Sequence, residues 1–172
     1  MSHHRPTSIQ LQDDGTFPGH PEWPLLVYPG AIALSADDPA GSVEQKFREN
    51  GWTGLWRDSI YTFHHYHSNT HEVLGVFSGH ARVQFGGPEG VEIELRPGDV
   101  AILPAGTAHK NLGSSKDFGV VGAYPHATKY DLFRGHKDER PQAMENIRNV
   151  PKPECDPVFG TGAGLCEHWK CR

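Results

Sequence analysis

Residues 72–103 of the chain read EVLGVFSGHARVQFGGPEGVEIELRPGDVAIL. Short apolar runs recur in this segment, and the turn signals Ser-Gly-His, Gly-Gly-Pro and Arg-Pro-Gly-Asp separate them. Runs of this kind, bounded by glycine and proline, are typical of antiparallel β-strands. The segment therefore predicts four strands, over Glu72–Phe77, Ala81–Phe85, Val91–Leu95 and Val100–Leu103.

The flanking sequence extends the β pattern in both directions. Apolar or aromatic runs predict three more strands, over Leu25–Tyr28, Ile60–His67 and Phe118–Ala123. Two other segments have apolar residues four positions apart, which predicts the helices Asp38–Asn50 and Asp138–Val150. We therefore predict one all-β structural domain, an antiparallel sandwich or barrel with short helices in its extensions. Its parts are an N-terminal arm with a strand and a short helix over 1–51, a β-barrel core over 52–125, and a C-terminal helix and extended tail over 126–172.

The composition excludes several classes of protein. The 20 glycines and 14 prolines are about a fifth of the 172 residues, which argues against a helix bundle or a coiled coil. The formal net charge of −5 and the lack of a basic run argue against a nucleic-acid partner. No apolar run approaches the roughly 20 residues of a membrane span, so we expect no membrane association.

The cysteines and the N-terminus indicate the compartment. Only three cysteines are present, Cys155, Cys166 and Cys171, and an odd, clustered set of this kind is not a disulfide framework. We expect free thiols, and a Cys166, His168, Cys171 metal clip matches no zinc spacing. The polar N-terminus is not a secretory signal. Cytoplasmic residence is therefore the prediction.

Histidine carries the functional signal, because five of the 12 histidines lie between residues 64 and 80. In a strand, His65 and His67 face the same side, about 6–7 Å apart. Two imidazoles inside a barrel are costly unless a partner such as a divalent metal uses their lone pairs. Glu72 starts the next strand and offers a carboxylate, and the turns around Gly98, Pro104 and Gly106 can return His109 to the same place.

The spacing of these residues resembles the two motifs of the cupin superfamily, G-x5-H-x-H-x3,4-E-x6-G and G-x5-P-x-G-x2-H-x3-N. The chain matches the first motif from His65 to Gly79 and the second from Gly98 to His109. It departs where Ser59 replaces the first glycine and Gly113 replaces the last asparagine. The stretch from Phe63 to Gly79 also resembles small uncharacterised cupin-domain proteins. The resemblance implies a single-domain jelly-roll barrel or sandwich.

The resemblance also implies the metal ligands, which are His65, His67, Glu72 and His109. They would hold one divalent ion, Mn²⁺, Fe²⁺, Ni²⁺ or Zn²⁺, and the ligands alone do not choose between these metals. His71 is a rival to Glu72, because a different bend of the turn would aim it inward. His64 and His80 are expected to face outward.

Three functions follow as hypotheses. The first is a small-molecule oxidoreductase of dioxygenase or oxidase type, in which Glu72 or another pocket group takes a proton from the substrate and Tyr61 donates one. Wall packing is the alternative role of Tyr61. The second is a metal-dependent isomerase, lyase or decarboxylase that needs no oxygen, and the third is a metal- or ligand-binding protein without turnover. Analogy with cupins further implies a homodimer and a small-molecule substrate.

Overall fold

The computed structural model describes residues 6–126 and 129–171 of the chain. A six-stranded antiparallel sheet has the order β1-β2-β7-β4-β9-β3, and a three-stranded sheet has the order β6-β5-β8. The strands are β1 (Thr7–Ile9), β2 (Leu25–Tyr28), β3 (Thr53–Asp58), β4 (Glu72–Ser78), β5 (Ala81–Phe85), β6 (Val91–Leu95), β7 (Val100–Leu103), β8 (His109–Ser114) and β9 (Gly119–Tyr124). The helices are α1 (Pro39–Glu49), a 3-10 turn (Lys137–Glu139), α2 (Arg140–Asn149) and α3 (Leu165–His168).

The predicted all-β class and the two predicted helices are confirmed. Asp38 caps α1, because its carboxylate accepts a hydrogen bond of 3.0 Å from the amide of Gly41, and Pro39 occupies the first turn. Pro141 lies in the first turn of α2. Strands β1 and β2 come from the segment 1–51 and extend the larger sheet beside β7. Met1–Arg5 of the predicted arm, together with Ala127, Thr128 and Arg172, lie outside the described residues.

The prediction of a continuous strand over Ile60–His67 is wrong. The strand in this region is β3, which ends at Asp58, and the chain then pairs only through isolated bridges at His65 and Tyr66. His65 forms a two-way bridge with His109, and Tyr66 forms one with Phe133. Aromatic residues over 60–67 mimic a strand in sequence, but tertiary contacts rather than a regular ladder order them.

Strand β4 separates two hydrophobic clusters. Val73 packs in a cluster with α1 and the C-terminal segment, whereas Leu74 packs in the cluster between the two sheets. Gly75 faces α1, since a Cβ atom at this position would be 2.5 Å from Cγ1 of Val43. Because side chains alternate along a strand, Glu72 shares the inter-sheet face with Leu74. The alternation thus directs a carboxylate into one end of the sandwich.

The C-terminal segment completes the hydrophobic cluster that Val73 forms with α1, which is called the outer cluster below. Trp169 is fully buried and stacks on Trp23, with ring centroids 5.3 Å apart. Each indole also donates a hydrogen bond to the backbone of the other segment. Nε1 of Trp23 donates to the carbonyl of Lys170, and Nε1 of Trp169 donates to the carbonyl of Pro24. The predicted tail is therefore a packed part of the domain.

The cysteines and the lengths of the helices complete the description of the fold. The three cysteines are free thiols, as the sequence predicts. Over residues 6–126 and 129–171, every helix is too short or too polar to cross a lipid bilayer.

Candidate metal centre

Three predicted ligands converge at one end of the sandwich. Nε2 of His67 lies 3.1 Å from Oε2 of Glu72, and Nε2 of His109 lies 3.2 Å from Oε1 of the same carboxylate. One ligand atom from each of the three residues lies within 4.8 Å of the others, and all three side chains are buried. Two imidazoles and one carboxylate on one side of a cavity form the ligand set typical of non-haem iron oxygenases.

His65 lies beside this group rather than within it. Its ring centroid is 4.0 Å from that of His109 and 6.1 Å from that of His67. The two-way backbone bridge between His65 and His109 explains the short ring separation. Burial, and next the neighbouring His109, lower the pKa of His65 to about 3. The ring is therefore neutral at physiological pH and keeps a lone pair for a metal.

Backbone carbonyls fix the orientation of all three imidazoles. Nδ1 of His65 donates to the carbonyl of Phe63, Nδ1 of His109 to that of Thr107, and Nδ1 of His67 to that of Asp131. In the neutral rings the lone pair is then on Nε2. Metal-binding histidines almost always donate their second ring nitrogen in this way.

The electrostatics of the group fit a cation. Burial alone would raise the pKa of Glu72, but His67 and His109 hold it below its usual value. Burial alone would lower the pKa of His67, but the Glu72 carboxylate raises it. The Nε2 lone pair of a neutral His67 would face a carboxylate oxygen, so a proton or a metal ion must lie between them. Among the described residues, Oε1 of Glu72 has no hydrogen-bond partner of acceptable geometry. These residues fit a divalent metal.

His71 points away from the group. Its Nδ1 accepts a hydrogen bond of 2.9 Å from the amide of Ala105, and its Nε2 donates one of 3.0 Å to the carbonyl of Pro151. Its ring packs against Trp23 and Trp169 in the outer cluster. Burial lowers the pKa of His71 to about 3, so the ring is neutral. Both ring nitrogens are occupied, which leaves none for a metal.

The other predicted residues lie around the site or away from it. Tyr61 is at the mouth of the cavity, is 56% exposed, and stacks on Phe63 with centroids 4.8 Å apart. His64 is half-buried against Phe17, and His80 is exposed. The chain departs from the cupin motifs at Ser59 and Gly113. Neither residue has a positive φ, so neither position requires the backbone conformation that favours glycine.

Sequence reasoning missed the residues that cover the site. Nε1 of Trp56 donates a hydrogen bond of 2.9 Å to the hydroxyl of Tyr124, and burial and the charge of Glu72 raise the pKa of that hydroxyl. The ring of Tyr130 lies between those of Tyr124 and His67, 4.9 Å from each. The carboxylate of Asp131 accepts hydrogen bonds from the amide and hydroxyl of Ser68. No sequence motif marks the segment 129–134, because its role depends on tertiary contacts alone.

A cavity of about 240 Å³ opens above the three ligands. Its floor is formed by His65, His67, Glu72 and His109, and its walls are mostly aromatic and aliphatic. The cavity and the buried donor atoms are therefore contiguous, which is the arrangement needed for a small molecule to reach a bound metal.

The fold and the site define the class of protein: a two-sheet β-sandwich with a candidate metal centre at one end. A family profile described as "Cupin domain" matches residues 59–117. A Bacillus subtilis (strain 168) protein described as "Uncharacterized protein YjlB" is 42% identical over 157 residues, which cover 91% of this chain and 92% of that protein. The chain belongs to the cupin superfamily.

Solved structures with partial similarity include a dioxygenase and an 11S globulin. Acireductone dioxygenase from Bacillus anthracis, described with a cadmium ion in its active centre, is 14% identical, with a TM-score of 0.40 over 73% of this chain and 80% of the enzyme. The 11S globulin from Wrightia tinctoria is 17% identical, with a TM-score of 0.37 over 46% of this chain. The chain spans only 22% of that globulin's length.

Proposed function

We propose that this cupin is a metal-dependent oxidoreductase of dioxygenase or oxidase type that acts on a small molecule. The observation that carries the proposal is the buried group of His67, Glu72 and His109, whose donor atoms lie within 4.8 Å of one another beneath an open cavity. Two histidines and one carboxylate with open positions favour Fe²⁺, although Mn²⁺, Ni²⁺ and Zn²⁺ suit the same donors. His65 is proposed as a fourth ligand, because its neutral ring is adjacent to His109.

The chemistry divides between the metal and the protein. A bound metal of this kind polarises the oxygen atoms of a substrate and, as iron, supports reaction with dioxygen. Glu72, kept ionised by its neighbours, would hold the cation. As a proposed second role, its carboxylate accepts a substrate proton. Tyr61 is placed at the solvent side of the cavity, where its hydroxyl is proposed to donate a proton to a product.

The test begins with metal binding. Purified protein is stripped of metal, reconstituted with Fe²⁺ under nitrogen, and assayed for metal content by mass spectrometry. We expect one metal ion per chain, lost in His67→Ala and His109→Ala and retained in the exposed-site control His80→Ala. His65→Ala is expected to weaken binding less than His67→Ala, because His65 lies outside the group of three. A metal content unaffected by His67→Ala contradicts the proposal.

The reaction type is tested with oxygen. Oxygen consumption by the iron-loaded protein is measured over a panel of carboxylates, enediols and thiols, with Glu72→Gln as the inactive comparison. Turnover that continues under strict anaerobiosis would assign a non-redox isomerase, lyase or decarboxylase instead. A compound that raises the melting temperature and is recovered unchanged would assign binding without turnover.

The assembly and location of the protein are also part of the proposal. We propose a homodimer in the cytoplasm, consistent with the three free thiols. Sedimentation equilibrium at micromolar concentration checks the dimer, and fractionation of the source cells checks the location.

A further inference from the structure

The cavity above the candidate metal centre has room for a small ligand only. Its volume of about 240 Å³ lies below the roughly 300–1,000 Å³ of pockets for drug-sized molecules. A small ligand that partly emerges from the mouth is therefore the size that fits.

The apolar surface of the cavity is concentrated at its mouth. Among the described residues the exposed large hydrophobic side chains are Tyr61, Tyr130, Leu132 and Phe159, and the first three line this cavity. Phe159 lies elsewhere, beside Tyr28. Large apolar groups that remain exposed around one concave site indicate a surface that a ligand covers.

An aromatic wall stands beside the donor atoms of the candidate metal centre. Tyr124 and Tyr130 are stacked, with centroids 4.9 Å apart and planes 24° from parallel. The Trp56 indole fixes the hydroxyl of Tyr124, while the ring of Tyr130 touches His67. The wall therefore offers an aromatic face next to the metal position, which favours a flat ligand over a bulky one.

The charges around the mouth do not provide a second anion site. Arg57 lines the cavity, but its guanidinium forms an ion pair with Glu44 on α1. Asp58, which also lines the cavity, is an acidic residue and does not attract an anion. The histidines of the floor belong to the candidate metal centre. Negative oxygen atoms of a ligand would therefore be balanced by the metal at the floor, and the rest of the ligand meets mostly uncharged walls.

We propose that the cavity selects small, flat ligands in which a pair of oxygen donors is attached directly to an aromatic or similarly planar apolar body. The oxygen pair faces the floor of the cavity, and the body lies against Tyr130 and Leu132 at the mouth. This ligand class rests on the proposed metal-dependent function, since the metal holds the oxygen pair.

A matched pair of chelators tests the ligand class without turnover. Acetohydroxamic acid and benzohydroxamic acid bind metals through the same two oxygen atoms and differ in whether a methyl or a phenyl group is attached. Binding of each to the Zn²⁺-loaded protein is measured by calorimetry, and each affinity is divided by that of the same compound for aqueous Zn²⁺. The corrected ratio reports what the cavity contributes to binding the phenyl group.

We expect the corrected ratio to favour benzohydroxamic acid by at least about tenfold, because the phenyl group is removed from water. Tyr130→Ala and Leu132→Ala are each expected to lower the ratio by roughly three- to tenfold, and the ratio cancels any change at the metal that both hydroxamates share. The control Phe159→Ala, which removes an exposed aromatic ring outside the cavity, leaves the ratio unchanged.

Each outcome has a separate meaning. Equal corrected affinities in the wild-type protein, or a ratio that neither Tyr130→Ala nor Leu132→Ala lowers, overturn the ligand class and leave the metal centre intact. A protein that binds Zn²⁺ but neither hydroxamate also overturns the ligand class alone. Failure to bind Zn²⁺ overturns the metal centre, and the ligand class falls with it.

Discussion

Replacing Asp131 by alanine tests whether the segment 129–134 holds His67 in its metal-binding orientation. The carbonyl of Asp131 accepts the Nδ1 hydrogen of His67. Its carboxylate anchors the same residue to the loop after His67, through the amide of Ser68 at 2.7 Å and the Ser68 hydroxyl. Loss of the carboxylate frees the segment, and the carbonyl that orients His67 then moves with it.

The magnitude follows from these contacts. A hydrogen bond to a charged group contributes about 1.5–3 kcal/mol. Asp131 is half-buried, so water replaces part of the loss, and we expect the free energy of unfolding to fall by about 2–4 kcal/mol. Residues that orient a metal-binding histidine typically change metal affinity by 10–100-fold. We expect the Zn²⁺ affinity of Asp131→Ala to fall within that range.

Two measurements separate orientation from stability. Zn²⁺ affinity is measured by competition with a chelating dye, and unfolding is measured in urea. Asp131→Asn, which keeps an oxygen for the Ser68 amide, is expected to recover part of the affinity, and the exposed-site control Asp138→Ala is expected to match the wild type. If Asp131→Ala loses stability while its Zn²⁺ affinity stays within twofold of the wild type, Asp131 does not orient His67.

Three further substitutions test the packing around the site by urea unfolding. His71→Ala should lower the free energy of unfolding by about 3–5 kcal/mol, because it leaves a buried amide and a carbonyl without partners and opens a cavity; a loss no larger than that of His80→Ala would contradict this role. Gly75→Ala should lower the free energy of unfolding by about 1–3 kcal/mol, because the added Cβ would lie 2.5 Å from Cγ1 of a valine on α1. The control Gly113→Ala should leave that free energy nearly unchanged, because its Cβ would meet nothing within 4 Å. Trp169→Ala should cost about 3–5 kcal/mol, and an unchanged midpoint would show that the C-terminal segment does not contribute to the folded state.

Short-range pattern was enough to predict most of the fold. The strand at Val91–Leu95 alternates regularly, and the cap at Asp38 is a local signal, so neither depends on distant contacts. The aromatic run at 60–67 misled the prediction, because its backbone pairs with two distant segments at single points. A sequence window contains no information about such partners.

Some residues of the candidate site were predicted from local sequence pattern, and others were not. Motif spacing predicted the three converging ligands, and strand alternation explains why Glu72 rather than His71 faces them. Tyr130 and Asp131 were not predicted, because they lie about 60 residues from the loop that they contact and carry no recognisable spacing. Their position is fixed by the path of the chain after β9.

The stacking of Trp169 on Trp23 bears on how the protein is made. A ribosome completes β2 and α1 long before it adds residue 169, yet the hydrophobic cluster against α1 includes both indoles. Synthesis proceeds at about 5–20 residues per second. The last strand of the larger sheet, β9, ends at Tyr124, 45 residues before Trp169. The nascent chain therefore spends roughly 2–9 seconds with that sheet complete and part of one side uncovered, which is the interval in which a chaperone or an aggregate competes for that surface.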